Sequence, residues 1–305
     1  MILRALIATL AVWLMLSAGP GLAQDRVTLG WGRLLSNDVL GDLRDRWQTG
    51  SYTVSVLRGP AWTGAPPDRL GDLLEYRFSG AIMAAADLGS PAPDDRPFVG
   101  AVSLGLHTHV TWAGMQTALG VDLVVLGPQT GLGRFQLWLH EVLGDNRIPD
   151  LNGQLGNALV PTLQAEVGRV VMLGDGVTVV PFVAAKAGVE NLVRAGGDVV
   201  IGNFGQGGHL LRDDTTGQRY RGIAGTGASA MSLTLGGDVA HVFGSDYLPD
   251  GGSVVATATR TRLRAGLAWQ GQRSSAFYGV TYLAPEFQSQ PEGQLVGSVN
   301  LNLRF

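Results

Sequence analysis

The chain has no cysteine, a single lysine (Lys186), and few charges of either sign: Asp, Glu, Lys and Arg together make up 15% of its 305 residues. Without cysteine there are no disulfides, no thiol nucleophile and no cysteine-ligated zinc. A soluble domain averages ~25% charged residues, so this surface is short of the groups that water solvates well. The net charge of −3 argues against a nucleic-acid partner. Long apolar runs are also missing beyond the first residues.

That first run is a targeting signal. Met1–Arg4 is a short basic start and Ala5–Leu16 is apolar; Ser17-Ala18-Gly19-Pro20 interrupts it, and Gly21-Leu22-Ala23 supplies small residues for cleavage. The run is shorter than the ~18–20 residues that span a bilayer as a helix. Residues 1–23 are therefore expected to be a secretory signal peptide, with residues 24–305 as the mature domain.

What is abundant is glycine, 45 residues, and apolar side chains, 45% of the chain, spread evenly at a mean hydropathy of +0.17. Short apolar stretches in a low-charge, glycine-rich exported chain suit a transmembrane barrel, where every second residue of a strand faces lipid. The C-terminus shows this period. Leu295, Gly297, Val299, Leu301, Leu303 and Phe305 alternate with Val296, Ser298, Asn300, Asn302 and Arg304, and the chain stops on an aromatic. Between Thr257 and Trp269 the odd positions are mostly Thr, Leu, Ala and Trp, while the even ones include Arg260, Arg262 and Arg264. An arginine on the lipid face costs ~2–4 kcal/mol near the midplane, so these three should point into the barrel. There they would pair with interior acids or bind phosphate; ion pairing is the simpler role.

About twelve strands follow, beginning near Val27, Ser51, Leu74, Val99, Leu119, Val160, Val177, Asp198, Ser229, Ala258, Ser275 and Leu295, with Asn203–Gly227 the least regular region. The expected fold is all-β, a transmembrane antiparallel β-barrel. An even count puts both termini in the periplasm. The segments around Leu35–Thr49, Ala84–Phe98 and Gly127–Leu159 then share the extracellular rim. Leu173–Gly176 and Gly271–Ser274 fall at the periplasmic end as tight turns. Gly131–Leu143 lacks proline and β-branched runs and is followed by Gly144, which predicts a short extracellular loop helix.

The rim segments carry an ordered set of motifs: Ser36-Asn37-Asp38 and Asp45-Arg46-Trp47-Gln48-Thr49-Gly50; Asp94-Asp95-Arg96-Pro97-Phe98-Val99-Gly100; Gly127-Pro128, Gln136, His140, Gly144, Pro149 and Gln154-Leu155-Gly156-Asn157. Gly202-Asn203-Phe204, Tyr247-Leu248-Pro249-Asp250-Gly251 and Glu286-Phe287 with Gln290 follow. Over nearly the whole mature chain this set resembles the lipid A 3′-O-deacylase family of outer membranes.

The resemblance implies a twelve-stranded barrel with its site at the extracellular rim, between the wall and a loop helix. It also implies calcium-dependent hydrolysis of the ester-linked 3′ acyl group of lipid A in lipopolysaccharide, by a chain expected to act as a monomer. His140 would be the base, with Gln136 on the same helical face orienting it or holding water. The plain alternative for His140 is a solvated helix residue. Asn37 and Asp38 offer the hard oxygens that Ca2+ selects, although Asn-Asp also makes ordinary Asx-turns. Two side chains leave most of a calcium shell to backbone, water and substrate. Thr49 matches a site position and would hydrogen-bond substrate or water, or simply start a strand.

Arg96 reads as architectural, paired with a neighbouring aspartate to fix its loop, and His107 and His109 as interior-facing strand residues rather than metal ligands. The chain departs from the family at Met83-Ala84-Ala85-Ala86-Asp87, where a Tyr-Thr-Pro-like stretch is usual, and at Ala158, where a glutamate is common. With no lysine near the site, any cation gripping the lipid's phosphate or core sugars would be an arginine such as Arg46 or Arg96. These departures keep open a non-catalytic barrel, a pore or structural protein that has lost the activity. A serine-dependent outer-membrane phospholipase lacks its His-x-Ser-Asn-Gly-like motif here.

Overall fold

The computed structural model describes residues 26–144, 150–225, 229–252, 254–271 and 274–303. The expected signal peptide, Pro149, the middle of the Gly271–Ser274 turn and the terminal Phe305 lie outside these residues.

Fifteen strands form: β1 (Val27–Asn37), β2 (Trp47–Gly59), β3 (Leu73–Ala84), β4 (Val99–Trp112), β5 (Met115–Leu126), β6 (Ala158–Gly168), β7 (Val171–Met172), β8 (Val177–Ala187), β9 (Glu190–Ile201), β10 (His209–Arg212), β11 (Arg219–Ile223), β12 (Ala230–Ser245), β13 (Thr259–Gln270), β14 (Ser274–Leu283) and β15 (Gln294–Leu303). Helix α1 (Leu132–Leu143) is in the β5–β6 connection. Twelve strands close an antiparallel barrel in the order β6-β5-β4-β3-β2-β1-β15-β14-β13-β12-β9-β8, with β8 pairing back onto β6. β7 adds two residues to the edge of β8, and β10–β11 is a separate hairpin.

Pairing of β1 with β15 joins the first and last strands of the sheet, as a spanning sheet needs where no water can satisfy backbone groups. The period-two pattern sorts the faces as expected. Leu263, Leu267 and Leu301 are exposed, whereas Arg260, Arg262, Arg264, Ser298 and Asn300 are buried. His107 and His109 also point inward, to Asp122 (3.2 Å) and Glu75 (2.8 Å).

Much of the interior is ion-paired, beside a buried apolar cluster in which Leu211, Tyr220 and Ile223 of the hairpin pack on Leu34, Leu57 and Phe277 of the wall. Arg260 binds Glu190 at 2.7 Å, Arg264 binds Asp198 at 2.6 Å, and Arg194, Arg262 and Arg264 converge on Asp238. Internal pairing is thus the role of the arginine row.

Two expectations need correction. The eighth barrel strand starts at Glu190, not near Asp198: Gly196 and Gly197 lie within the strand, with Gly196 pressed against Asp238 of β12. The irregular segment after β9 is also more than a turn. Residues 202–225 leave the end where short turns were expected and fold back inside the barrel, where Tyr220 meets Ser55 at 3.0 Å, Gln218 meets Thr281 at 3.2 Å and Asp214 takes Lys186 at 3.0 Å. The hairpin occupies part of the lumen that the strand count alone would leave open.

At the opposite end lie the connections 38–46, 85–98 and 127–157, as parity requires. They brace one another: the Asp150 N–H donates to Leu88 O (2.6 Å) and the Leu155 N–H to Phe98 O (2.9 Å). Trp47, Leu248, Val254 and Phe287 form a buried apolar cap over that end.

Candidate active site on the outer wall

Helix α1 begins after Gly131 and stops at Gly144, which takes φ 70° and returns its N–H to the His140 and Glu141 carbonyls. A glycine accepts this left-handed stop without strain. Gln136 and His140, one turn apart, are 2% and 7% exposed, so they share the inward face. Phe135, Trp138 and Val142 are exposed on the other side, the first two rings 5.8 Å apart.

The helix packs on the outside of the barrel. In β4 the odd positions from Val99 to His109 face the lumen, so Gly100 faces outward; a Cβ on it would come within 2.7 Å of Thr130 Oγ1 and 3.1 Å of Leu132 Cβ. The 38–46 loop also lies on the outer wall. Gly297 of β15 faces outward opposite Asn37, and Leu40 covers it, with the Leu40 carbonyl accepting from the hydroxyl of outward-facing Tyr278 at 2.8 Å. The site is therefore built against the apolar outer surface, not in the lumen, although two cavities lie in the lumen.

Local hydrogen bonding shapes the loop. Asn37 ends β1; its Nδ2 donates to Thr49 O at 2.8 Å and its Oδ1 accepts the Val39 N–H at 2.9 Å. The Asp38 N–H donates to Thr49 O at 3.2 Å. Asp38, fully buried, accepts the Val39 N–H on Oδ1 (2.8 Å) and the Arg46 N–H on Oδ2 (2.7 Å). The alternative given for this pair, an Asx-turn, is present, and it sets the orientation of both side chains. Burial pushes the Asp38 carboxyl up to about 8, with Asp45 and Asp42 adding to the push against the two backbone N–H donors. A carboxylate so placed wants a positive charge beside it.

The arginines nearby do not supply one. Arg46 is committed to Glu292 (2.6 Å) and Asp42 (3.0 Å) and lies over the Trp47 ring. Arg96 is buried and reaches Glu286 at 2.6 Å, across to the β14–β15 connection; this, not its sequence neighbour alone, is what it fixes. Neither is presented for gripping a phosphate.

The residues fit a hard cation. A carboxylate has about four acceptor positions, and each Asp38 oxygen uses one on a backbone N–H, leaving room on both. Thr49 Oγ1 and both polar atoms of the Gln136 amide are buried without a hydrogen-bond partner. Unsatisfied groups of this kind usually mark a place for water, ion or ligand. Among the described residues no three His, Cys, Asp or Glu side chains are grouped so as to hold a metal ion.

The sequence reading assigned no role to Asp45. It is buried, and its Oδ2 lies 3.1 Å from Nε2 of His140, tying the loop to the helix. Its only signal in the sequence was its place in the loop that also carries Asn37 and Asp38. Ala84 is buried with Leu88 and Phe98 in an apolar cluster under the second loop, and Ala85 is buried next to it in the chain. Ala158 starts β6 and receives Gln129 Nε2 on its carbonyl at 3.0 Å.

Fold and site together define an outer-membrane β-barrel with a polar cluster held by loops against its outer wall. A family model described as "Outer membrane protein LpxR" matches residues 7–305, and the chain belongs to that family. LpxR from Salmonella typhimurium shares the fold at a TM-score of 0.75 and 18% identity, over 90% of this chain and 100% of that one. More distant barrels include the β domain of the Bordetella autotransporter BrkA (TM-score 0.44, 12% identity, 90% and 99% covered). The translocator domain of the autotransporter NalP from Neisseria meningitidis is another (0.42, 13%, 99% and 96%). No curated protein matches.

Proposed function

We propose that this chain is a calcium-dependent esterase that removes the 3′-O-linked acyl group of lipid A. The observation that carries the reading is the convergence of His140 from α1 onto the loop that presents Asn37, Asp38 and Thr49, outside the wall where a lipid already lies. Asn37 and Asp38 would hold the cation, which when bound polarises the ester carbonyl and steadies the negative charge that develops on its oxygen.

The chain's own residues do the rest. His140 takes a proton from water as the water oxygen attacks the carbonyl carbon, then returns it to the departing sugar oxygen. Gln136, its amide unsatisfied and one turn away, holds that water or the acyl carbonyl. Thr49 Oγ1 offers a further hydrogen bond to substrate. The extracellular placement rests on strand parity: both termini at one end, the long braced loops at the other.

A pore or structural barrel is the alternative. The missing polar residues at Ala84–Ala86 and Ala158 favour lost activity, while the lumenal hairpin counts against conduction. Mass spectrometry of lipid A from cells expressing the chain tests the reading. Loss of one ester-linked acyl unit, blocked by chelator and by His140→Ala, is the expected result; an unchanged lipid A profile with folded barrel in the membrane would overturn it.

A further inference from the structure

We propose that the outer face of α1 is seated in the outer leaflet, the side on which strand parity puts this rim, with Phe135, Trp138 and Val142 among acyl chains beside the barrel wall. The three residues are spaced three and four apart and form one ridge along the helix. They are 49%, 55% and 61% exposed. The opposite side is taken up by the protein: Gly133, Gln136 and His140 are buried, and a Cβ on Gly133 would meet Leu151 Cδ1 at 3.1 Å and Phe98 Cε1 at 3.4 Å. Arg134 and Glu141, on successive turns, are exposed along a third edge. The helix therefore has a packed side, an apolar side and a charged edge.

What covers the apolar side follows from where the helix lies. Thr130 and Leu132 rest on outward-facing Gly100, near the start of β4, so α1 begins on the outer wall at the rim. On the same stretch of wall the outward-facing Leu104 and Leu159 are each 61% exposed, and Leu123, paired with Leu104, is 38% exposed. The ridge thus extends a surface already presented to hydrocarbon. A helix with one apolar face and a charged edge lies in the interface plane, its apolar face ~5–10 Å into the boundary between headgroups and acyl chains. Tryptophan favours that depth. Arg134 and Glu141 then meet headgroups and water. Gln136 and His140, on the same helix, are held at a fixed depth by this seating.

The absence of cysteine lets a single introduced thiol report one position. The full chain, folded into vesicles of lipopolysaccharide and phosphatidylethanolamine, carries a spin label at Phe135→Cys, Trp138→Cys or Val142→Cys. Arg134→Cys and Glu141→Cys report the charged edge, and Leu263→Cys on the lipid-facing wall is the immersed reference. Oxygen dissolves in acyl chains while a nickel chelate stays in water, so the ratio of their collision rates with the label reads depth. Ridge positions should give ratios within about threefold of the Leu263→Cys reference and roughly fivefold above the charged edge. Adding Phe135→Asp and Trp138→Asp to the Val142→Cys chain should lower its ratio to that of the charged edge.

Free chelate access along the ridge would overturn the proposal by placing it in water. Protection from both reagents would overturn it by placing protein over the ridge. None of these readouts needs turnover, so failure of the deacylase reading would show separately, as lipid A left intact by a chain whose helix is seated.

Discussion

Leu40 rests on Gly297: a Cβ built on that glycine would come 2.3 Å from the Leu40 carbonyl oxygen. The loop that carries Asp38 and Asp45 can lie on the barrel wall only because β15 presents no side chain there. Gly297→Val should lift the loop and lower deacylation at least 10-fold. The barrel itself, paired through β14 and β15 by backbone bonds, should still show its folded band on unheated gels.

His140→Gln should remove the base while keeping the helix on the wall, since the glutamine fills similar space. General-base catalysis is worth about 10²–10⁴ in rate, and a loss of that size in kcat is expected. Wild-type turnover by this variant, followed by mass spectrometry of lipid A, would exclude His140 from the chemistry.

Asp38→Asn keeps the acceptors for the Val39 and Arg46 N–H groups but removes the charge. The half-activating calcium concentration should rise at least 10-fold, with activity partly restored by excess calcium. A calcium titration of the purified variant reads this directly.

Far from the site, Asp238→Asn should be a stability variant. Arg194, Arg262 and Arg264 all bind that carboxylate, and leaving buried charges uncompensated costs about 3–5 kcal/mol. Urea unfolding should move to lower denaturant while kcat at low temperature stays the same.

Most of the frame was legible in the sequence. Period-two alternation separates lipid and lumen faces wherever one face carries arginine or asparagine, as at Arg260–Arg264 and Ser298–Asn302. It fails where glycine stands for a packed position: Gly196-Gly197 hid the start of β9, because a missing side chain in a crowded interior looks the same as a turn. The lumenal hairpin was hidden for a related reason. Its polar residues, Asp213, Asp214 and Gln218, show no alternation that would mark them as interior, and their partners Thr53, Lys186 and Thr281 lie on distant strands. At the site, motif spacing was enough to bring forward Asn37, Asp38, Gln136 and His140. Asp45 came from tertiary geometry, since nothing local distinguishes a loop aspartate that meets a histidine from one that meets water.

The hairpin also makes a prediction about conduction. Wild-type chain in planar bilayers should stay closed; replacing residues 207–224 by a short flexible linker should open ion steps. Silence in both would show that the remaining ion-paired interior seals the lumen without it.

The outer-wall placement of the site also bears on how turnover should be measured. An enzyme meeting its substrate without lifting it from the bilayer samples a two-dimensional pool. On the deacylase reading, its rate would follow the mole fraction of lipid A in the leaflet rather than its bulk concentration, and inert lipid would slow it by dilution alone. Both products, a freed fatty acid and a lipid with one chain fewer, would remain in that same pool and change the packing that the next substrate must leave.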